Sequence, residues 1–231
     1  MDVSVIIPAL NEAKGIAGCI NSFKRQSLKP LEIIVADGGS RDETRAIARR
    51  LGCRVVVERK RTIAAGRQKG AEAAKGEVLA FTDADAFLPK DWLKELVEPF
   101  KDEKTACVFG SLRLQGGGAL DGFASGLLGV GFWLSALIGR PSGAGSCMAV
   151  SACAFRKAGG FDKRLVTAED IDLEKRLQRF GRVVYAPAAV AFVSARRIRK
   201  WGYPRFIAFH LNNWFRAHFL GRSSKAYERV R

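Results

Sequence analysis

The chain has 231 residues, 48% of them apolar, with 39 Lys/Arg against 23 Asp/Glu for a net charge of +16. That apolar share excludes wholesale disorder, and the length suits one compact domain or two small ones. Five cysteines without CxxC spacing exclude a zinc ribbon and a disulfide framework; they read as reduced, mostly buried thiols in a cytosolic protein, and no signal peptide precedes the first apolar run.

Short apolar runs alternate with helical patterns through the first hundred residues. VSVIIPA (3–9) reads as a strand, and Asn11 to Gln26 as a helix with Ile16, Ile20 and Phe23 on one face. LEIIVAD (31–37), a helix from Asp42 to Leu51, CRVVVE (53–58), an Ala-rich helix from Ala64 to Lys75 and EVLAFTD (77–83) follow. This βαβ rhythm predicts an α/β fold with a mostly parallel central sheet, and the unalternating strands predict helices on both faces. Beyond residue 105, strands are expected at Ala106–Leu114, Ser146–Ser151, Val183–Tyr185 and Val190–Val193, with GGG (116–118) as a joint. A helix from Thr167 to Phe180 is closed by Gly181. Ala119 to Ile138 comes nearest to a membrane span, but Asp121 and several Gly and Ser favour a buried or interfacial helix.

Ligands of open α/β sheets bind beyond the carboxyl ends of the strands. Three strands end there in polar residues: Asn11 and Glu12, Asp37 to Ser40, and Thr82 to Asp85. If the extended backbone persists through Asp85, the two-residue period turns Asp83 and Asp85 to one side. Two hard carboxylates on one side suit Mg²⁺ or Mn²⁺. Spacing alone is weak evidence, since 23 acids in 231 residues give about two acid-x-acid matches by chance.

VSVIIPALNE, IIVADGGSRDET and AAGRQKGAEAAKGEVLAFTDADAFLP, in that order, resemble the nucleotide-binding half of family 2 inverting glycosyltransferases of the GT-A fold. GSCMAVSACAFRKAGGFD (145–162) and AEDIDLEKRLQRFG (168–181) resemble the acceptor half. The resemblance covers residues 2 to 193 and implies a catalytic domain over 1–193, with 1–105 for the donor and 106–193 for the acceptor. It implies a UDP- or GDP-sugar donor with Mn²⁺ or Mg²⁺. Pro8, Ala9 and Glu12 would line the base and ribose pocket, Asp37 would contact base or ribose, and Arg67 would lie over the nucleotide. Asp83 and Asp85 correspond to the DxD element, with Asp85 the direct metal ligand, and Asp170 to the catalytic base. Relatives often carry two adjacent acids where this chain has Asp37-Gly38, which leaves the atom that Asp37 reaches open.

Residues 194–231 hold ten Lys/Arg against one acid, Glu228, among many aromatics. On a helix Arg205, Asn212 and Arg216 share one face, with Tyr203, Ile207, Leu211 and Trp214 opposite. Such a basic, aromatic extension suits an anionic membrane surface on the cytoplasmic side; the alternative is an apolar face packed on the domain. Arg196, Arg197, Arg199 and Lys200 can also fold over a donor diphosphate, Arg197 and Arg199 foremost. The tail favours a polyprenyl-phosphate or glycolipid acceptor, and a single transfer rather than processive synthesis. Two other readings were weighed. A sugar-nucleotide pyrophosphorylase shares the architecture but carries a Gly-rich basic loop that PALNEAKG lacks. A nucleic-acid-binding protein fits the charge but not the acids at three strand ends, so no nucleic-acid partner is expected.

Overall fold

The computed structural model describes residues 1–116 and 118–220. Gly117, within the expected joint, and the last eleven residues of the tail lie outside the described residues.

β1 (Val3–Ala9), β2 (Glu32–Asp37), β3 (Arg54–Val57) and β4 (Val78–Phe81) pair in parallel. Between them run α1 (Ile16–Lys24), α2 (Thr44–Arg50) and α3 (Ile63–Ala73). After α4 (Trp92–Val97) come β5 (Thr105–Gln115), α5 (Ala119–Leu137), β6 (Met148–Ser151), α6 (Ala152–Lys157) and α7 (Glu169–Leu177). β7 (Arg182–Ser194), α8 (Arg196–Trp201) and α9 (Tyr203–Phe219) complete the described chain. The seven strands form one sheet in the order β3-β2-β1-β4-β6-β5-β7. β6 alone is antiparallel to its neighbours, so the sheet is mixed, with a parallel majority.

The two-residue period of β1 sends Val3, Val5, Ile7 and Ala9 to one face, where α1, α2 and α4 cover them around buried Trp92, Phe23 and Leu93. Ile6 faces the other way, into a second layer with Phe81, Met148, Phe155, Phe161, Leu173 and Leu177 from β4, β6, α6, α7 and the loop between those helices. Buried apolar rows on both faces explain the unbroken hydrophobic strands. Gly70 lets α3 close on the sheet, since a Cβ there would lie 2.4 Å from Ile6 Cγ2.

Several expectations need correction. The first helix starts at Ile16, not Asn11: Asn11 takes φ of 53°, a left-handed turn that Asn tolerates. The two late strands are one strand, β7, broken in register where Ala186 pairs with Gly110 and Val190 with Ser111. Pro187, which has no N–H for the ladder, sits in that irregular stretch. The backbone is not extended through Asp85: β4 stops at Phe81, and Ala86 N donates to Asp83 O (3.1 Å) across a turn. Ala119–Leu137 is helical but not buried, with only Ala124, Phe132 and Ser135 facing the domain. The named apolar face of α9 divides: Tyr203 packs against Leu114, Ala124, Ala195 and Ile198 and Trp214 is half-buried, whereas Ile207 and Leu211 are exposed.

Candidate active site

The carboxyl ends of β1, β2 and β4 meet the start of α7 and the start of α8, so distant segments bring charged groups to one edge. The first two loops are stitched together. Asn11 N donates to Ser40 Oγ (2.8 Å), Arg41 N to Asn11 Oδ1 (2.8 Å) and Glu12 N to Thr44 Oγ1 (2.8 Å). Asp37, fully buried, uses Oδ2 to accept from Gly39 N and Ser40 N (both 2.9 Å), while Oδ1 finds no partner among the described residues. Asp37 therefore shapes the loop with one oxygen and keeps an orphaned acceptor on the other. Such buried, unmatched acceptors are rare unless a ligand satisfies them. Ala9 is a wall rather than a contact: its side chain lies in the core and its carbonyl accepts from Gly38 N (2.8 Å). Pro8 is half-buried against Gly66 of α3.

Two arginines organise the acids. Arg67, buried in α3, donates to Glu169 Oε1 (2.8 Å) and Asp83 Oδ1 (3.1 Å). Burial works against its charge, but Asp83, Glu169 and Asp170 raise its pKa. Gly145 makes the room, because a Cβ there would lie 2.1 Å from Arg67 Nη1. Glu169 was legible only as one of two acids opening a helix. Burial, then Asp170, pushes its carboxyl up to about 7 against the pull of Arg67. Arg196, the first residue of α8, grips Glu12 Oε1 (2.7 Å) and Oε2 (3.2 Å) and pairs with Asp85 Oδ2 (3.2 Å). Of the tail cations expected near the donor, Arg196 reaches these acids. Arg197 lies over the Trp201 ring (5.9 Å) and acts on His210, and Arg199 lies beside Asp121 at Gly116.

Asp170 sits in the first turn of α7, whose entry residue Ala168 adopts a left-handed φ of 57°. That conformation costs a non-glycine residue about 1 kcal/mol. Asp170 Oδ2 accepts from Gly145 N (3.0 Å), and Oδ1 accepts from Ile171 N (2.9 Å). One turn on, fully buried Glu174 accepts from Gly143 N (2.9 Å), and burial holds its carboxyl far above the usual range. Glu174 thus anchors the 143–145 loop, whose Gly145 N donates to Asp170. His210 of α9 is exposed but in ring contact with Phe206 (4.3 Å) and Phe209 (5.4 Å), and its pKa is lowered by this packing and by Arg197 against the influence of Asp170.

Asp83 and Asp85 fit a hard divalent cation. Their side chains keep 39% and 20% of their exposure, and Asp85 is pushed up to about 6, first by burial and then by Asp83. Charge that raises a carboxyl this way is charge a cation relieves. No cluster of three His, Cys, Asp or Glu placed to hold a metal occurs among the described residues, so the other ligands of such an ion would come from water or phosphate.

The fold is shared with a mannosyltransferase from Pyrobaculum calidifontis solved with GDP-Man and Mn²⁺ (TM-score 0.74, 24% identity, 96% of this chain and 65% of that one). It is shared too with Staphylococcus aureus TarS 1–349 solved with UDP (TM-score 0.66, 20% identity, 92% and 66%). The mixed sheet places the chain among α/β folds of the GT-A type. The family model for glycosyl transferase family 2 matches residues 4–135, and the chain belongs to that family. Glycosyltransferase AglE of Haloferax volcanii is 35% identical over 100 residues (40% of this chain, 33% of AglE). Succinoglycan biosynthesis protein ExoA of Rhizobium meliloti is 30% identical over 204 residues (77% and 58%). The chain thus spans between about a third and three-fifths of the length of these relatives.

Proposed function

We propose that the protein is a metal-dependent inverting glycosyltransferase, taking a sugar from UDP or GDP and passing it once to a lipid-linked acceptor at the cytoplasmic face of a membrane. The donor lies over residues 1–105 and the acceptor over 106–193. The observation that carries this reading is a sheet edge where Arg67 joins Asp83 to Glu169, next in chain to Asp170, and Arg196 joins Glu12 to Asp85, with Asp37 at the end of the neighbouring strand β2. Asp83 and Asp85 hold Mn²⁺ or Mg²⁺, which when bound neutralises the charge developing on the departing diphosphate. Asp37 Oδ1 accepts from the base or ribose of the nucleotide, with Pro8 and Ala9 walling the pocket. Asp170 takes the proton of an acceptor hydroxyl as its oxygen attacks the anomeric carbon and the bond to the diphosphate breaks. An acceptor that is already a phosphate anion needs orienting only. Arg196, with Arg197 and Arg199 nearby on α8, supplies guanidinium charge to the diphosphate. A mannosyltransferase and TarS solved with GDP-Man and UDP support the class of donor by fold analogy alone.

The test is a thermal-shift screen of UDP-, GDP- and dTDP-sugars with and without Mn²⁺. One nucleotide class is expected to stabilise the protein in a Mn²⁺-dependent way. Stabilisation by none of them refutes the donor assignment.

A further inference from the structure

Among the described residues, exposed large apolar side chains gather on α5 and α9. α5 presents Leu120, Phe123, Leu127, Val130, Leu134 and Leu137, exposed between 45% and 68%, at alternating spacings of three and four. That spacing draws one stripe down a helix, opposite the face formed by Ala124, Phe132 and Ser135. On α9, Ile207, Leu211, Phe215 and Phe219 make a second exposed stripe. The two helices run in the same direction, tied at both ends. Tyr203 Oη donates to Asp121 Oδ1 (2.7 Å) at their starts, and Arg140 lies over the Phe219 ring (4.4 Å) at their finishes.

Composition around the stripes names the occupant. From 119 to 141 the only acid is Asp121, engaged by Tyr203, and from 195 to 220 there is none. Arg140, Lys200, Arg205 and Arg216 accompany the apolar residues. α5 also contains four glycines, which weaken a helix in water by about 1 kcal/mol each. At Gly122, Gly126 and Gly131 an added Cβ would meet nothing within 4 Å, so no packing inside the chain calls for them. Glycine is more frequent in membrane helices than in soluble ones.

We propose that α5 and α9 form a two-helix float lying in the plane of an anionic bilayer, their stripes among the acyl chains and their cations among the headgroups. This deepens the membrane placement given above but does not depend on the donor or on the base. A second copy is the poorer occupant, because a symmetric interface would bring together two faces that carry cations and no acid other than Asp121. Spanning is excluded by α5's own packing: Phe132 is stacked edge-on against Phe109 (6.1 Å) and Tyr185 (6.3 Å), and leaving the sheet uncovers both.

The experiment is vesicle co-flotation of the full chain on phosphatidylcholine with and without about 30 mol % phosphatidylglycerol. Binding is expected only with the anionic lipid, and is expected to be lost in about 0.5 M NaCl. The pair L127E/L134E, on exposed positions that leave the fold intact, is expected to weaken binding at least about a hundredfold. R140Q, R205Q and R216Q are expected to weaken it about fivefold each. The donor thermal shift should be unmoved in all of them, which separates failure here from failure of the catalytic reading. Equal binding to neutral vesicles, full binding by L127E/L134E, salt-resistant insertion, or a stable dimer that L127E/L134E dissolves would each overturn the proposal.

Discussion

Replacing Arg67 by Met tests whether one buried guanidinium holds the donor edge to the base helix. Methionine keeps most of the volume, so the loss is electrostatic. Arg67 is 3% exposed and Glu169 is 6% exposed, whereas the Asp83 side chain keeps 39% of its exposure and can rehydrate. Breaking a buried pair typically costs 3–5 kcal/mol. The lower end, about 3 kcal/mol, applies here because Glu169, already raised to about 7, can take up a proton when its partner leaves. The sign follows. Without Arg67 the folded-state pKa of Glu169 rises further above its unfolded value, so the variant gains stability as pH falls. The gap to wild type is therefore widest well above pH 7, narrows as pH falls towards 7, and levels off below it, where Glu169 is protonated in both proteins. Urea denaturation at pH 8 and pH 6 measures it, with R67M/E169Q as the internal control. Removing the orphaned charge in the double variant should restore about half the loss at pH 8. A variant within about 1 kcal/mol of wild type at pH 8, or a gap that widens on acidification, would refute the clamp.

Three further outcomes are expected. Asp85→Asn should abolish the Mn²⁺-dependent part of the donor thermal shift while leaving the unliganded melting temperature within about 3 °C. Asp170→Asn, which can still accept from Gly145 N, should lower donor turnover about 10²–10⁴-fold, read as diphosphate release, with donor binding retained. Gly70→Ala should destabilise by about 1–2 kcal/mol in urea despite alanine's better helix propensity, because its Cβ meets Ile6 Cγ2 in a filled core.

The strands and the acids at their ends were readable because both depend on local rules: apolar runs set the sheet, and polar residues after them set its edge. The turn at Ala84–Asp85 was not, because VLAFTD gives no breaker after Phe81 and the turn is fixed by a tertiary bridge from Phe87 to Phe192. The single strand β7 was hidden by Pro187, which reads as a stop in isolation but fits where the ladder with β5 slips. Arg196 was inseparable from Arg197 and Arg199 in sequence, since adjacent helical residues point about 100° apart and only the docking of α8 chooses among them. Glu169 carried no local sign of burial, because acids in a first helical turn are ordinary surface residues, and Glu174 carried none because it stands in a charged run with Asp172, Lys175 and Arg176. The exposure of α5 could not be read either: its apolar positions also suit a core helix, and only the fold shows which face meets the sheet.

The turn bearing Asp83 and Asp85 is tethered from its far side. Phe87 and Phe192 exchange backbone hydrogen bonds (2.9 and 3.0 Å), and Gln115 Nε2 donates to Phe192 O (2.9 Å) and Asp85 O (3.3 Å). A loop from the first half is thus laced into β5 and β7 of the second, so there is no clamshell to open between them. Widening the edge that carries Asp83 and Asp85 would therefore break backbone and Gln115 hydrogen bonds, so on the proposed reading the donor meets a preformed turn.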